Sequence, residues 1–111
     1  MTETKINQWD ISVLVIEPND KKRRRIEDVL EYVGLSGRGL RKFVSGVERA
    51  KIALQEKEYH FVIGDLPPDV QLNPDQIHID HPDLDHVDGY LNFQSSLATY
   101  LEQRFGFDYD Y

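Results

Sequence analysis

The chain of 111 residues contains no cysteine, which excludes disulfides and thiolate chemistry and fits a reducing, cytoplasmic setting. No apolar stretch approaches membrane-spanning length, and the N-terminus lacks the basic-then-apolar order of a signal peptide. No membrane partner is therefore expected. Basic residues are scarce beyond the midpoint: residues 59–111 hold Arg104 alone against 10 Asp/Glu, whereas residues 1–58 hold 12 Lys/Arg against 10 acids. An acidic half repels phosphates, so direct nucleic-acid binding is not expected. No Ser/His/Asp triad can be assembled in sequence order, and with no nucleophilic cysteine the chain is not read as an enzyme.

What is present argues for one folded domain. Hydrophobic content of 40% and aromatic content of 11% exceed what a disordered chain carries. Residues 1–10 are polar and read as a flexible N-terminus, with Trp9 as a candidate anchor. The run Ile11 to Ile16 is β-branched and nearly continuous in apolar character, as expected of a strand covered on both faces. Glu17-Pro18-Asn19-Asp20 then supplies a loop with capping residues. Ile26, Val29, Leu30 and Val33 mark the inner stripe of a first helix, which Gly34 stops.

A weak second strand ends at Phe43-Val44. Ser45 with Glu48 reads as a capping box for a second helix to about Lys57, with Val47, Ala50, Ala53 and Leu54 inward. Phe61 to Gly64 is a third buried strand, ending at Asp65. Gln76 to Asp80 alternates in strand fashion, residues 81–89 read as a polar turn, and Gly89 to Phe93 reads as a last strand. Ser95 or Ser96 caps a final helix with Leu97, Tyr100, Leu101 and Phe105 inward, and Gly106 stops it. Residues 106–111 form an acidic-aromatic tail, read either as a frayed end or as a segment that docks on a partner.

Val13-Leu14-Val15-Ile16-Glu17, Val29-Leu30-Glu31-Tyr32-Val33-Gly34, Phe61-Val62-Ile63-Gly64-Asp65-Leu66 and Tyr90-Leu91-Asn92-Phe93 together carry a resemblance. Over residues 11–105 the chain resembles the receiver-like N-terminal domains of flagellar master regulators of the FleQ/FlrA type. The resemblance implies an α/β, flavodoxin-like three-layer sandwich, with a mostly parallel sheet of about 4–5 strands and about 3 helices. Only 11 residues separate Gly64 from Gln76, and eight separate Asp80 from Gly89. A parallel crossover with its helix needs at least about 10–12 residues, so the helices after strands three and four are expected to be reduced or absent. That shortening leaves antiparallel pairing open for the late strands. It also uncovers apolar sheet surface, for which Val70, Leu72 and Leu84 are candidate loop plugs.

A working receiver is a small metal-dependent phosphoryl-transfer site, in which acids hold Mg²⁺ and a lysine pairs with the new phosphoryl group. The resemblance assigns Asp65 to the acceptor position and Glu17 to the first acid. The second acidic position falls on Pro18, with Asp20 as a displaced substitute. The Ser/Thr position falls near Asp80 or His81, and the lysine position on Phe93. The set is broken, and a pseudo-receiver without a cofactor is expected. Its function would be that of a protein–protein interaction module, self-associating as a homodimer or modulating a transcription or signalling partner. Lys21, Lys22, Arg24, Arg25, Tyr90, Phe93 and Tyr100 are its candidate contact residues. One alternative is an atypical receiver phosphorylated on Asp65, with Glu17 and Asp20 holding Mg²⁺.

A second alternative comes from residues 78–88, which hold three of the four histidines among carboxylates. Read functionally, His78, Asp80, His81 and His86 bind a divalent metal, or the acidic half acts as a decoy for a basic partner. Read structurally, they form a solvated acidic loop, since no familiar ligand spacing matches. The run Lys21 to Arg25 likewise reads as either a docking patch or the solvated face of the first helix. Gly37-Arg38-Gly39 with Arg41-Lys42 reads as a turn rather than a phosphate cradle.

Overall fold

The computed structural model describes residues 11–35, 41–80 and 83–106. In chain order the elements are β1 (Val13–Ile16), α1 (Asp20–Tyr32), β2 (Arg41–Val44), α2 (Val47–Glu56), β3 (Phe61–Gly64), β4 (Ile77–Ile79) and α3 (Val87–Phe105). The four strands form one all-parallel sheet in the order β2-β1-β3-β4. Central β1 pairs with β2 from Val13 opposite Arg41, and with β3 from Val13 opposite Phe61. This is a shortened flavodoxin-like sandwich.

Alternation along the two central strands builds two cores. Val13, Val15, Phe61 and Ile63 point to one face, where Ile26, Val29, Leu30 and Val33 of the α1 segment meet Phe93, Leu97 and Leu101 of α3. Leu14, Ile16 and Val62 point to the other face, covered by Ala50 and Ala53 of α2 and by Tyr59. The chain between β3 and β4 carries no helix. Leu66 and Leu72 from this connection pack onto the second core and stand where a helix would lie. Val70 is half-buried, whereas Leu84 is buried against α1 and α3 on the opposite face from the one it was expected to plug.

The mostly parallel sheet is observed, and the late strand, whose direction the sequence leaves open, pairs parallel across the helix-free connection 65–76. Three expectations are corrected. Residues 89–93 are not a strand but belong to the first turns of α3, which therefore follows β4 directly. The physical reason is periodicity: Tyr90, Phe93, Leu97 and Leu101 recur at helical spacing on the buried side, while Leu91 is half exposed. Gly89 is selected by close approach, since a Cβ there would collide with the Asp83 carbonyl oxygen. Ser95 and Ser96 consequently lie exposed within the helix and cap nothing. Finally, the N-cap of α2 is Gly46, without a side-chain cap bond, so the Ser45–Glu48 capping box is not formed and Val47 points outward.

Residues 1–10, the Gly37–Gly39 loop, His81 and the tail beyond Gly106 lie outside the described residues. Among the described residues, no helix is long and apolar enough to cross a membrane.

Candidate functional site

Parallel strands deliver their C-terminal ends to one edge of the sheet, and ligands of open α/β sheets bind beyond that edge. Here it gathers Glu17 after β1, Asp65 after β3 and the His78–Asp80 end of β4. Glu17 extends the ladder, its N–H donating to the Val44 carbonyl at 2.9 Å, and the residue is only 2% exposed. Pro18 follows with no ligating atom. Asn19 then caps α1, its Oδ1 accepting from the N–H groups of Lys21 (3.0 Å) and Lys22 (3.1 Å). Asp20 opens the helix and is ion-paired with Arg23.

At the end of β3 the backbone turns through Gly64 with φ +112°, and a Cβ there would strike the Ile16 carbonyl oxygen of β1. Glycine is required on both counts. The Gly64 carbonyl accepts a hydrogen bond from His78 Nε2 at 2.6 Å, so that nitrogen carries the proton. Asp65, the next residue, is exposed and makes no hydrogen bond or ion pair among the described residues.

The magnesium set that the fold resemblance implies does not fit these residues. Mg²⁺ demands near-octahedral oxygen donors at short range. Pro18 offers none, and Asp20 is committed to Arg23 on the first turn of α1. The lysine position assigned to Phe93 has no counterpart, because Phe93 is a core residue of α3 rather than the end of a fifth strand. The one base of the second half, Arg104, lines a cleft of about 340 Å³ with His60 and Gln76, at the opposite end of the strands from Asp65.

The described residues of the histidine-rich segment are not brought together as a ligand set. His78 Nε2 is used by Gly64 and stands 3.8 Å from Asp80 Oδ1. His86 Nδ1 pairs instead with Asp83 at 2.8 Å, and that hydrogen bond holds the Asp83 carboxyl below its ordinary value. Among the described residues, no group of three or more His, Asp or Glu side chains converges on a metal-sized site.

The expected contact residues divide. Lys21 and Arg24 are exposed and Lys22 is half-buried. Arg25 ties α1 to the loop before α3, donating to the Leu84 carbonyl at 2.7 Å and to Asp85 at 3.1 Å. Tyr90 and Tyr100 are half-buried against the core, and the Tyr100 ring meets Phe61 edge-on at 6.4 Å. Phe93 is corrected as a contact residue: at 3% exposure it offers no surface.

One polar arrangement escaped the sequence reading. At the other end of the sheet, His60 Nδ1 accepts from the Ser12 N–H at 3.0 Å and lies 3.0 Å from the Ser12 hydroxyl, which in turn accepts from the His60 N–H at 3.2 Å. The His60 ring meets Phe105 of α3 edge-on at 5.7 Å. Burial, followed by the charge of Lys57, lowers the imidazole pKa from its ordinary 6.5. Ser12, the lone polar residue in the first apolar run, was the available signal.

No protein-family profile, curated protein or solved structure matches this chain.

Proposed function

We propose that this protein is a non-catalytic, receiver-like interaction module that acts through its surfaces on a signalling or transcription partner, or on a second copy of itself. The observation that carries the reading is Asp65, exposed at the carboxyl edge with neither hydrogen bond nor ion pair among the described residues. A carboxylate that attacks a phosphoryl group must be surrounded by cations, because two anions otherwise repel. Pro18 in place of a second acid, and Arg104 at the far end of the strands, support the same reading. Exposed Tyr32 of α1 and exposed Val87 and Leu91 of α3 supply apolar surface for a protein contact.

The test is titration with beryllofluoride and Mg²⁺, followed by amide resonances near Asp65 and by melting temperature. No change at millimolar ligand is expected, since a ligand that does not bind adds no stability. A saturable shift abolished by Asp65→Asn would replace this reading with that of a phosphorylatable receiver. Light scattering on the native protein, with recovery of co-purifying proteins, tests the other half. A monomer at every concentration with no partner would count against an interaction role.

A further inference from the structure

The bond from Ser12 to His60 fixes the imidazole tautomer. A main-chain N–H can only donate, so Nδ1, which accepts it at 3.0 Å, is unprotonated in the neutral ring and Nε2 carries the proton. Nε2 has no hydrogen-bond partner among the described residues, and it is not sealed from solvent. Burial lowers the ring's pKa from 6.5, so near neutral pH this N–H is an uncharged donor.

His60 shares the cleft of about 340 Å³ with Glu58, Asp75, Gln76, Arg104 and Phe105. Part of this lining is already engaged. Gln76 Nε2 donates to the Tyr59 carbonyl at 3.0 Å, and Gln76 Oε1 accepts from the Asn73 N–H at 2.8 Å. Asn73 Nδ2 donates in turn to Glu58 Oε1 at 2.7 Å. These bonds brace one wall. Arg104 and Asp75 are different: both are exposed, and neither makes an ion pair or side-chain hydrogen bond among the described residues, although they line the same cleft. The Phe105 ring, set edge-on to His60 at 5.7 Å, adds an apolar wall.

We propose that this cleft binds a small zwitterion with an apolar side chain, of the class of a free α-amino acid. The Arg104 guanidinium and the His60 Nε2–H take its carboxylate, Asp75 takes its ammonium, and its side chain lies against Phe105. The site is at the opposite end of the strands from Asp65 and goes beyond the interaction reading.

Charge selects a zwitterion. A plain anion would meet Arg104 but also the carboxylates of Glu58 and Asp75, which repel it. A plain cation would gain Asp75 and leave the guanidinium repelling it. Only a ligand bearing both signs answers both free charges. Size agrees, since the cleft is at the small end of the roughly 300–1,000 Å³ range of ligand sites, which suits an amino acid and not a nucleotide. A titratable group shifted from its ordinary pKa within a cleft is also where binding sites concentrate.

Titration of the full chain with L-phenylalanine tests the site, followed by the Arg104 Nε–H and His60 ring resonances and by calorimetry. Both sets of resonances should shift saturably at millimolar concentration or below. Phenylacetate, which lacks the ammonium, and phenethylamine, which lacks the carboxylate, should each bind about tenfold more weakly or worse. Arg104→Gln and Asp75→Asn should weaken L-phenylalanine by a similar factor with circular dichroism unchanged, because both positions are exposed. Asp75→Asn should leave phenylacetate binding undiminished, since it removes only a repelling charge. The absence of a saturable shift, equal binding of either single-charge analogue, or binding indifferent to Arg104→Gln would each overturn the proposal. The analogue series uses the unaltered chain, so it decides the matter even if a variant misfolds.

Discussion

The imidazole of His78 donates its Nε2 proton to the carbonyl oxygen of Gly64 at 2.6 Å, tying the end of β4 to the peptide that precedes Asp65. The acceptor residue is buried, so nothing else can satisfy it cheaply. Replacing His78 by leucine leaves that carbonyl without its donor. The expected loss is about 1–3 kcal/mol, the desolvation cost of an orphaned polar group, read from the urea midpoint at constant slope.

Gly64→Ala should be worse, since it places a side chain at φ +112° and against the Ile16 carbonyl oxygen. Strain and overpacking together should cost at least about 3 kcal/mol, measured by thermal unfolding. Gly46 is the control: it is extended at φ −161°, a Cβ there meets nothing within 4 Å, and it caps α2 without a side-chain bond. Gly46→Ser should supply that bond and stabilise by a few tenths to about 1 kcal/mol.

Stability should fall on acidification through His60. The folded state favours its neutral ring, so its pKa lies below the ordinary 6.5. Above 6.5 neither state binds the proton, and the contribution is complete. As pH drops below 6.5 the unfolded chain takes up a proton first, and stability declines until the folded ring is protonated as well. Protonation at Nδ1 also removes the acceptor used by the Ser12 N–H. Urea midpoints between about pH 5 and 8 should show this slope, and His60→Asn, which keeps an acceptor near the same place without titrating, should flatten it.

Two residues of the segment expected as a strand separate the two geometries. In α3, Phe93 is buried and Leu91 half exposed. Phe93→Ala should cost about 3–5 kcal/mol. Leu91→Asp should change stability by less than about 0.5 kcal/mol, since the position is on the surface. In a strand both would lie on the same face and behave alike.

Much of the fold was legible because its signals are local. The apolar runs Val13–Ile16 and Phe61–Gly64 read directly as strands buried on both faces, and Ile26, Val29, Leu30 and Val33 announced the inner stripe of α1. Residues 89–93 misled because Gly89 resembles strand punctuation and Tyr90 and Phe93 favour strands. Their helical partners, Leu97 and Leu101, lie a turn or two further on. Asp65 and Glu17 were legible at the sheet edge, since parallel strands end together. The bonds from His78 to Gly64 and from Ser12 to His60 were not, because they join residues 14 and 48 positions apart and exist only once the sheet is assembled.

The all-parallel register sets an order of assembly. Among the described residues no hairpin is available to start it: Val13 meets Arg41 on one side and Phe61 on the other, so each of these strand contacts closes a long loop first. Sheets built from distant contacts form slowly, often over milliseconds to seconds. During synthesis β1 leaves the ribosome before β3 and must wait for residue 61 to gain its second neighbour, a period in which a chaperone has an opportunity to engage it.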